Sequence, residues 1–531
     1  MFRKEGLSLF ALLILSFGAF AQQDIKGEAR MKFEEVLSLM DEKYVEKPPF
    51  DKLIDKAIVA MVQELDPHSE YMTADEYKKM NEPLQGNFEG IGVQFNILKD
   101  TITVVSPISG GPSEKLGIRS GDRIVEIEDT VVAGIGITNN DVLKKLRGDK
   151  GTKVNVKILR RGVSAPIAYT IVRDKIPIYS VDAGYMLKPE VGYIKINRFA
   201  QSTMEEFNTA LSKLKPLGMT SLVLDLRGNS GGYLNTAIDL SDEFLDNNEL
   251  IVYTEGATSP RKDSNATPKG SFATGKLVVL IDEGSASASE IVSGAVQDQD
   301  RGLIIGRRSF GKGLVQRPFR LRDGSTLKLT TARYHTPSGR CIQRPYEEGQ
   351  EEYRKENERR AEQGEWFSAD SIKFNENEKY FTQNKRVVYG GGGIMPDIFI
   401  PIDTSENSKY LRDILNKGVL FTFVSEYVDA HRDELKKTYP TYEDFETNFQ
   451  VEGPFMDEFL AQAEKDSVKY DAEGMVVSGK TIRLRLKARV ASTLWGTEEF
   501  FRVINREDEA VNAAITAIED KTFKKLKLAY K

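Results

Sequence analysis

Three serines crowd one short turn. They are Ser285, Ser287 and Ser289 of Gly284-Ser285-Ala286-Ser287-Ala288-Ser289-Glu290, after an apolar run and ahead of a helical one. Small residues at such a strand-to-helix turn let the backbone bend tightly and expose a hydroxyl as a nucleophile. The helix N-terminus that follows supplies N–H dipoles for a developing oxyanion. A serine nucleophile needs a base, and Lys312 stands between Gly311 and Gly313 in Ser309-Phe310-Gly311-Lys312-Gly313-Leu314-Val315-Gln316. Glycine flanks permit close packing around the side chain, and a desolvated ammonium gives up its proton more easily, so the amine can act as general base. Each feature alone has a plainer explanation: a serine-rich turn caps helices, and Gly-Lys-Gly makes a hairpin. The expected oxyanion donors are the backbone N–H of Ala288 with that of Gly231 or Gly232, because those glycines follow a buried strand and allow close backbone approach.

The scarce residues narrow the chemistry further. Among 531 residues there is one cysteine, Cys341, and three histidines, His68, His335 and His431. One cysteine excludes an intramolecular disulfide and a cysteine-rich zinc site. The histidines form no HExxH pair, and a Ser-His-Asp triad would have to recruit one of three. The expectation is a hydrolase that needs neither metal nor cofactor, and that works without histidine. The 74 basic and 80 acidic residues leave a net charge of −6, which gives no electrostatic case for nucleic acid.

A second constellation is built for binding. Glu89-Gly90-Ile91-Gly92-Val93 resembles the carboxylate-binding loop of PDZ domains. Glycines let successive N–H groups face one concavity, which holds an anion, and the strand that follows offers an edge to an extended peptide. Gly90, Ile91, Gly92 and Val93 are the substrate-binding candidates. The stretch from Gly110 to Ile124 carries the helix-then-turn pattern of the same fold, and Asn140 to Leu146 is the helix expected to wall the groove.

These side chains need elements to hold them. Apolar spacing predicts helices from Ile25 to Met40, from Asp51 to Leu65 and from Ala74 to Asn81. Short strands and glycine turns follow, one of them expected to run unbroken from Gly90 to Phe95. Beyond 176 strands and helices alternate, with strands at Gly192–Ile196, Ser221–Leu226 and Leu277–Ile281 and helices at Thr203–Leu214 and Glu290–Gln297. The acidic stretch 347–386 reads as an inserted, exposed helix or loop with a solvated face, and Gly390 to Gly393 as a flexible turn. Long helices are expected at Leu411–Tyr427 and Glu507–Lys527. At the N-terminus, Arg3 and Lys4, an apolar run from Leu7 to Phe20 and Ala19-Phe20-Ala21 read as a secretory signal peptide cut after Ala21; the run is short for an uncleaved anchor.

In family order, these motifs resemble the C-terminal processing peptidases, or tail-specific proteases. The resemblance runs from about 35 to 345 and resumes at 390–400. It includes Leu65-Asp66-Pro67-His68-Ser69, the PDZ-like segment, Asp225-Leu226-Arg227-Gly228-Asn229-Ser230-Gly231-Gly232, the serine-rich turn, Phe310-Gly311-Lys312-Gly313, Thr336-Pro337-Ser338-Gly339-Arg340 and Gly393-Ile394-Met395-Pro396-Asp397. The resemblance implies that Ser287 is the nucleophile, Lys312 the base, Gln316 the residue that orients the lysine, and Asp298 a supporting catalytic residue. It implies a multidomain α+β chain: signal peptide 1–21, helical region 22–84, PDZ domain 85–175, a small partly open β-barrel with helices, an α/β ClpP/crotonase-like protease core 176–404, and a mainly helical region 405–531.

The expected activity is an exported, periplasmic serine endopeptidase, soluble or peripheral to the membrane, cutting protein or peptide substrates near a free C-terminus. A homo-oligomer or an adaptor protein is a further expected partner. Two alternatives stand beside it: an inactive peptide-tail receptor on the same scaffold, and an enoyl-CoA-hydratase-like enzyme, which would have no use for the PDZ-like segment. The histidines and Cys341 are expected to be structural, with His431 at the surface.

Overall fold

The computed structural model describes residues 24–530, so the expected signal segment lies outside the described residues. The chain divides at Leu65 and Asp66 into two units. In the first, helices span Asp24–Lys43 and Phe50–Gln63.

In the second unit a six-stranded sheet carries the α/β core. Its spatial order is Val181–Lys188, Val191–Ile196, Ser221–Asp225, Lys276–Ile281, Leu303–Gly306 and Ile398–Phe399. The first pair is antiparallel and the remaining pairs are parallel. Side chains alternate along these strands. Leu222, Leu224, Leu277 and Val279 bury toward helices Thr203–Leu214, Leu234–Asp242 and Ala288–Asp298. Val223, Val278, Leu280 and Ile305 bury on the opposite face, against Val511, Ala514 and Ile518. Both faces are covered, which explains the near-continuous apolar sequence of Ser221–Asp225 and Lys276–Ile281.

That second face corrects an expectation about the tail. The predicted helix Glu507–Lys527 is two helices, Glu509–Glu519 and Thr522–Lys525, and the longer one completes the core instead of lying outside it. The predicted helix Leu411–Tyr427 is likewise broken. Gly418, at φ 66°, separates Lys409–Asn416 from Val419–Thr438; left-handed backbone costs glycine little and ends the first helix there. Helices from Lys409 to Ile504 build a separate core around Phe423, Phe445, Phe459, Ile482 and Leu486.

A six-stranded antiparallel sheet with helices Pro112–Lys115 and Asn139–Leu146 forms the PDZ-like part. The single strand predicted from Gly90 to Phe95 is two. Asn87–Gly90 pairs with Asp174–Pro177, and Val93–Leu98 begins the barrel sheet as an edge strand. Gly92, at φ 73°, turns the chain between them. This part also meets the helical region: a Cβ on Gly121 would lie 2.3 Å from Asp429 Oδ1, and Lys99 pairs with Glu426 at 2.8 Å.

Strand Thr326–His335 pairs with Leu314–Arg320, which follows Lys312, and with Glu70–Met72, just after the Leu-Asp-Pro-His-Ser motif. Asp298 lies at the far end of helix Ala288–Asp298. Its carboxylate pairs with the Arg340 guanidinium at 2.8 Å, and both side chains are completely buried. Thr336 Oγ1 and the Ser338 N–H also donate to it. The pair pins the helix to the Thr-Pro-Ser-Gly-Arg turn. Replacing Asp298 with Ala leaves Arg340 buried without its counter-charge, and the expected loss is about 3–5 kcal/mol, measurable as a lowered thermal or denaturant midpoint.

Candidate active site

The serine-rich turn is strained at its middle serine. Ser287 has φ 54° and ψ −110°, outside the ordinary regions for a residue with a Cβ. The sheet positions it: strand Lys276–Ile281 ends just before the turn, and helix Ala288–Asp298 begins just after it. Behind the turn, the wholly buried Asn229 acts as a splint. Its carbonyl accepts from the Ala286 N–H at 3.0 Å and Ser289 Oγ at 2.8 Å, and its amide donates to the Ile196 carbonyl at 2.9 Å.

Lys312 comes from a loop packed tightly on both sides. A Cβ on Gly313 would lie 2.8 Å from the Gln343 N, and one on Gly311 would lie 3.1 Å from the Gly393 N, with Gly311 already at φ 89°. Burial, reinforced by the positive charge of Lys328, pushes the Lys312 ammonium down to about 8 from 10.5. The amine is therefore available near neutral pH, as a base must be.

One carboxylate joins the two loops. Fully buried Glu290 accepts from the Ser287 N–H at 2.7 Å, the Gly311 N–H at 2.7 Å, the Lys312 N–H at 2.9 Å and Ser309 Oγ at 2.5 Å. Burial raises its carboxyl to about 7 while these donors favour the anion. Tyr334 is a second bridge: its hydroxyl lies 2.6 Å from the Lys312 carbonyl and 3.1 Å from that of Ser287. Neither residue was assigned from the sequence. Glu290 was nonetheless legible as the third residue of a helix after a serine, the capping-box position. Tyr334 carried no such signal.

Ser287, Ala288, Lys312, Gln316, Gly231 and Gly232 all line one cavity of about 350 Å³. The two glycines differ. The Gly231 N–H already donates to Asn229 Oδ1 at 2.9 Å, so it is not available to an oxyanion. The Ala288 and Gly232 N–H groups donate to no acceptor among the described residues. Gly232 must remain glycine, since a Cβ would lie 2.1 Å from the Phe199 carbonyl oxygen. A half-buried serine hydroxyl, an amine whose pKa is lowered toward neutrality and two spare N–H groups around one cavity can carry out acyl transfer.

Asp298 is not brought into this cavity. It sits eleven residues along the helix from Ser287, roughly 16 Å at 1.5 Å per residue, and its carboxylate is committed to Arg340. No histidine lines the cavity either. His68 bonds to the Tyr353 hydroxyl at 2.9 Å, and burial together with the Lys312 charge pushes it down to about 3. His335 stacks on Tyr253, and His431, part-buried instead of lying free at the surface, stacks on Tyr427. Cys341 is a free thiol, and its backbone forms an isolated antiparallel bridge with that of His335.

The charged insertion is more than a solvated face. Its helix, Gln350–Glu362, buries Tyr353 and Arg360. Arg360 donates to the carbonyls of Ser309 and Arg308, and Arg344 stacks between Phe310 and Tyr353 at 3.9 and 4.0 Å. The insertion braces the loop that carries Lys312. The glycine run is also tied down, through the Gly391 and Gly393 N–H groups to the Cys341 and Ile342 carbonyls.

A second cavity, of about 530 Å³, shares Tyr77, Asn81 and Pro318 with the first and reaches Phe88, Glu89 and Lys175 beside the PDZ-like part. There the Ile91 and Gly92 N–H groups donate to no acceptor among the described residues, while the Ile91 carbonyl accepts from the Ser113 N–H and hydroxyl. Gly90 backs onto the end of helix Asn139–Leu146. A loop with spare N–H groups beside an edge strand and a helix suits an extended peptide ending in a carboxylate.

A strained serine, a lysine of lowered pKa and a PDZ-like loop with spare N–H groups define a class of serine peptidase. The comparisons with known proteins agree. Residues 190–349 match the model of peptidase family S41, 90–168 that of the PDZ domain, and 410–496 a family of unknown function (DUF8443). A carboxy-terminal-processing protease of Bartonella bacilliformis is 38% identical over 321 residues, covering 59% of this chain and 72% of that protein. The carboxy-terminal processing protease CtpA of Bacillus subtilis is 38% identical over 300 residues, 56% of this chain and 63% of that one. The solved photosystem II D1 C-terminal processing protease is 26% identical, covering 71% of this chain and 88% of its own, with a TM-score of 0.37. A PDZ domain of the Vibrio cholerae carboxy-terminal protease, solved in complex with peptide, is 34% identical over 17% of this chain and 97% of its own, TM-score 0.16. The chain belongs to peptidase family S41, as a C-terminal processing serine protease with a PDZ domain.

Replacing Glu290 with Gln turns an N–H2 toward backbone N–H groups that can only donate. The expected result is a fall in kcat/KM of at least about tenfold, or ~1.4 kcal/mol of lost transition-state stabilisation, with the circular dichroism spectrum unchanged.

Proposed function

We propose that this protein is an exported, periplasmic endopeptidase that cuts proteins near a free C-terminus, with Ser287 as nucleophile and Lys312 as general base. The observation that carries this reading is the shared cavity, in which a strained serine and a buried lysine of lowered pKa meet two uncommitted N–H groups. Ser287 Oγ attacks the peptide carbonyl while neutral Lys312 takes its proton. The amine then returns the proton to the leaving nitrogen and activates water to release the acyl group. Ala288 and Gly232 hold the oxyanion, and Gln316 orients the lysine. The core is of the ClpP/crotonase-like kind.

The PDZ domain grips the terminal carboxylate at Gly90–Val93, and the tail runs to Ser287 past the two cavities that share Tyr77, Asn81 and Pro318. A path lined from both sides favours an extended chain over a folded one.

Ser287→Ala and Lys312→Ala are each expected to abolish turnover of an unfolded protein substrate while keeping the wild-type melting profile. Retained cleavage in Ser287→Ala overturns the assignment. A peptide with an amidated C-terminus should be cut less efficiently than its free-acid twin, the difference appearing in KM.

The lysine also sets the pH response. Its folded pKa lies near 8, so the reactive amine fraction grows as pH rises through 8. The expected kcat/KM climbs to a plateau above that value and is roughly a hundredfold lower at pH 6, two units below the midpoint. A flat profile between pH 6 and 9 counts against Lys312 as base.

A further inference from the structure

A glutamine can steer a lysine base only if its amide is the right way round. Its carbonyl oxygen accepts an N–H and leaves the amine's lone pair free for the serine proton. A flipped amide offers N–H instead, which occupies that lone pair.

Across the ladder of strands Leu314–Arg320 and Thr326–His335, Gln316 faces Thr330. Gln316 Nε2 donates to Thr330 Oγ1 at 3.2 Å, and Thr330 Oγ1 donates to Asp66 Oδ1 at 2.9 Å. Asp66 belongs to the Leu-Asp-Pro-His-Ser motif, which lies outside the matched PDZ and peptidase segments. The same carboxylate accepts from the His68 N–H at 2.8 Å, the Ser69 N–H at 2.9 Å and Ser69 Oγ at 2.5 Å. Burial works against its charge, but these hydrogen bonds prevail and hold the carboxyl below its usual range. The turn is itself docked, since the Thr330 N–H donates to Ser69 Oγ at 3.0 Å.

A hydroxyl has one proton. That of Thr330 is committed to an ionised carboxylate, which can only accept. The Thr330 oxygen must then accept from Gln316, and only the amide nitrogen can give. Gln316 Oε1 is thereby turned away from Thr330, while the side chain lines the cavity shared by Ser287 and Lys312. We propose that Asp66 and Thr330 are positioning residues: the ordered relay Asp66–Thr330–Gln316 selects the amide face that Lys312 meets. The proposal rests on the reading of Ser287 and Lys312 given above.

The test compares kcat and KM on one free-acid peptide, in the full-length protein, for Thr330→Val, Thr330→Ala and Thr330→Ser. The first two are also made in a Gln316→Ala background. Thr330→Val and Thr330→Ala should each lower kcat about tenfold with KM within about twofold, and Thr330→Ser should recover at least half of kcat. In the Gln316→Ala background neither change should lower kcat further, because the relay has lost its end. A wild-type kcat in Thr330→Ala, or an equal loss in both backgrounds, overturns the proposal. If Ser287→Ala stays active, the underlying reading falls. If Ser287→Ala is dead and Thr330→Ala is silent, the relay alone falls.

Discussion

The buried carboxylate of Glu290 holds the serine turn and the lysine loop together. Ser287 and Lys312 are 25 residues apart and belong to different loops, yet their backbone N–H groups converge on one oxygen, Glu290 Oε2. Moving either loop leaves donors in a dry interior without an acceptor, at a cost of about 1–3 kcal/mol for each group stranded. The surrounding features reinforce this point of convergence. Tyr334 spans the two carbonyls, Asn229 stiffens the turn from behind, and the insertion presses on the lysine loop through Arg344 and Arg360. The strain in Ser287 is sustained by that convergence.

The electrostatics follow from the same burial. Partial burial disfavours the Lys312 ammonium, so its proton is more easily surrendered. Glu290 is buried more deeply and has four donors where the lysine has a neighbouring cation. One environment thus moves two groups of opposite charge type toward neutrality by different amounts. The buried Asp298 carboxylate is matched directly by Arg340, away from the cavity that holds Ser287 and Lys312.

Much of this was legible in the sequence. Strands with apolar runs, the serine-rich turn and Gly-Lys-Gly could be read because local composition dictates local backbone. The buried strand Ser221–Asp225 and the helix Thr203–Leu214 fall within a residue of expectation for that reason. What escaped was set by partners far along the chain. Tyr334 looks like any strand aromatic until its hydroxyl is seen between two carbonyls. Asp298 and Gly231 carry family motifs, yet their atoms are committed elsewhere, one to Arg340 and one to Asn229. A single glycine at positive φ divided the expected strand at Gly92 and the expected helix at Gly418. The charged stretch 347–386 read as solvated because its composition is polar, and its few buried contacts could not be told from the many exposed ones.

Those contacts bear on where a working piece of this chain begins and ends. The recognisable peptidase segment stops at 349, but Tyr353 and Arg360 lie beyond it and touch the loop that presents the lysine. The helix that seals the second face of the sheet lies later still, past Asp508. Boundaries drawn by shared ancestry and boundaries drawn by mechanics therefore do not coincide. A fragment cut to the former would keep every reactive atom and lose the parts that hold them in register.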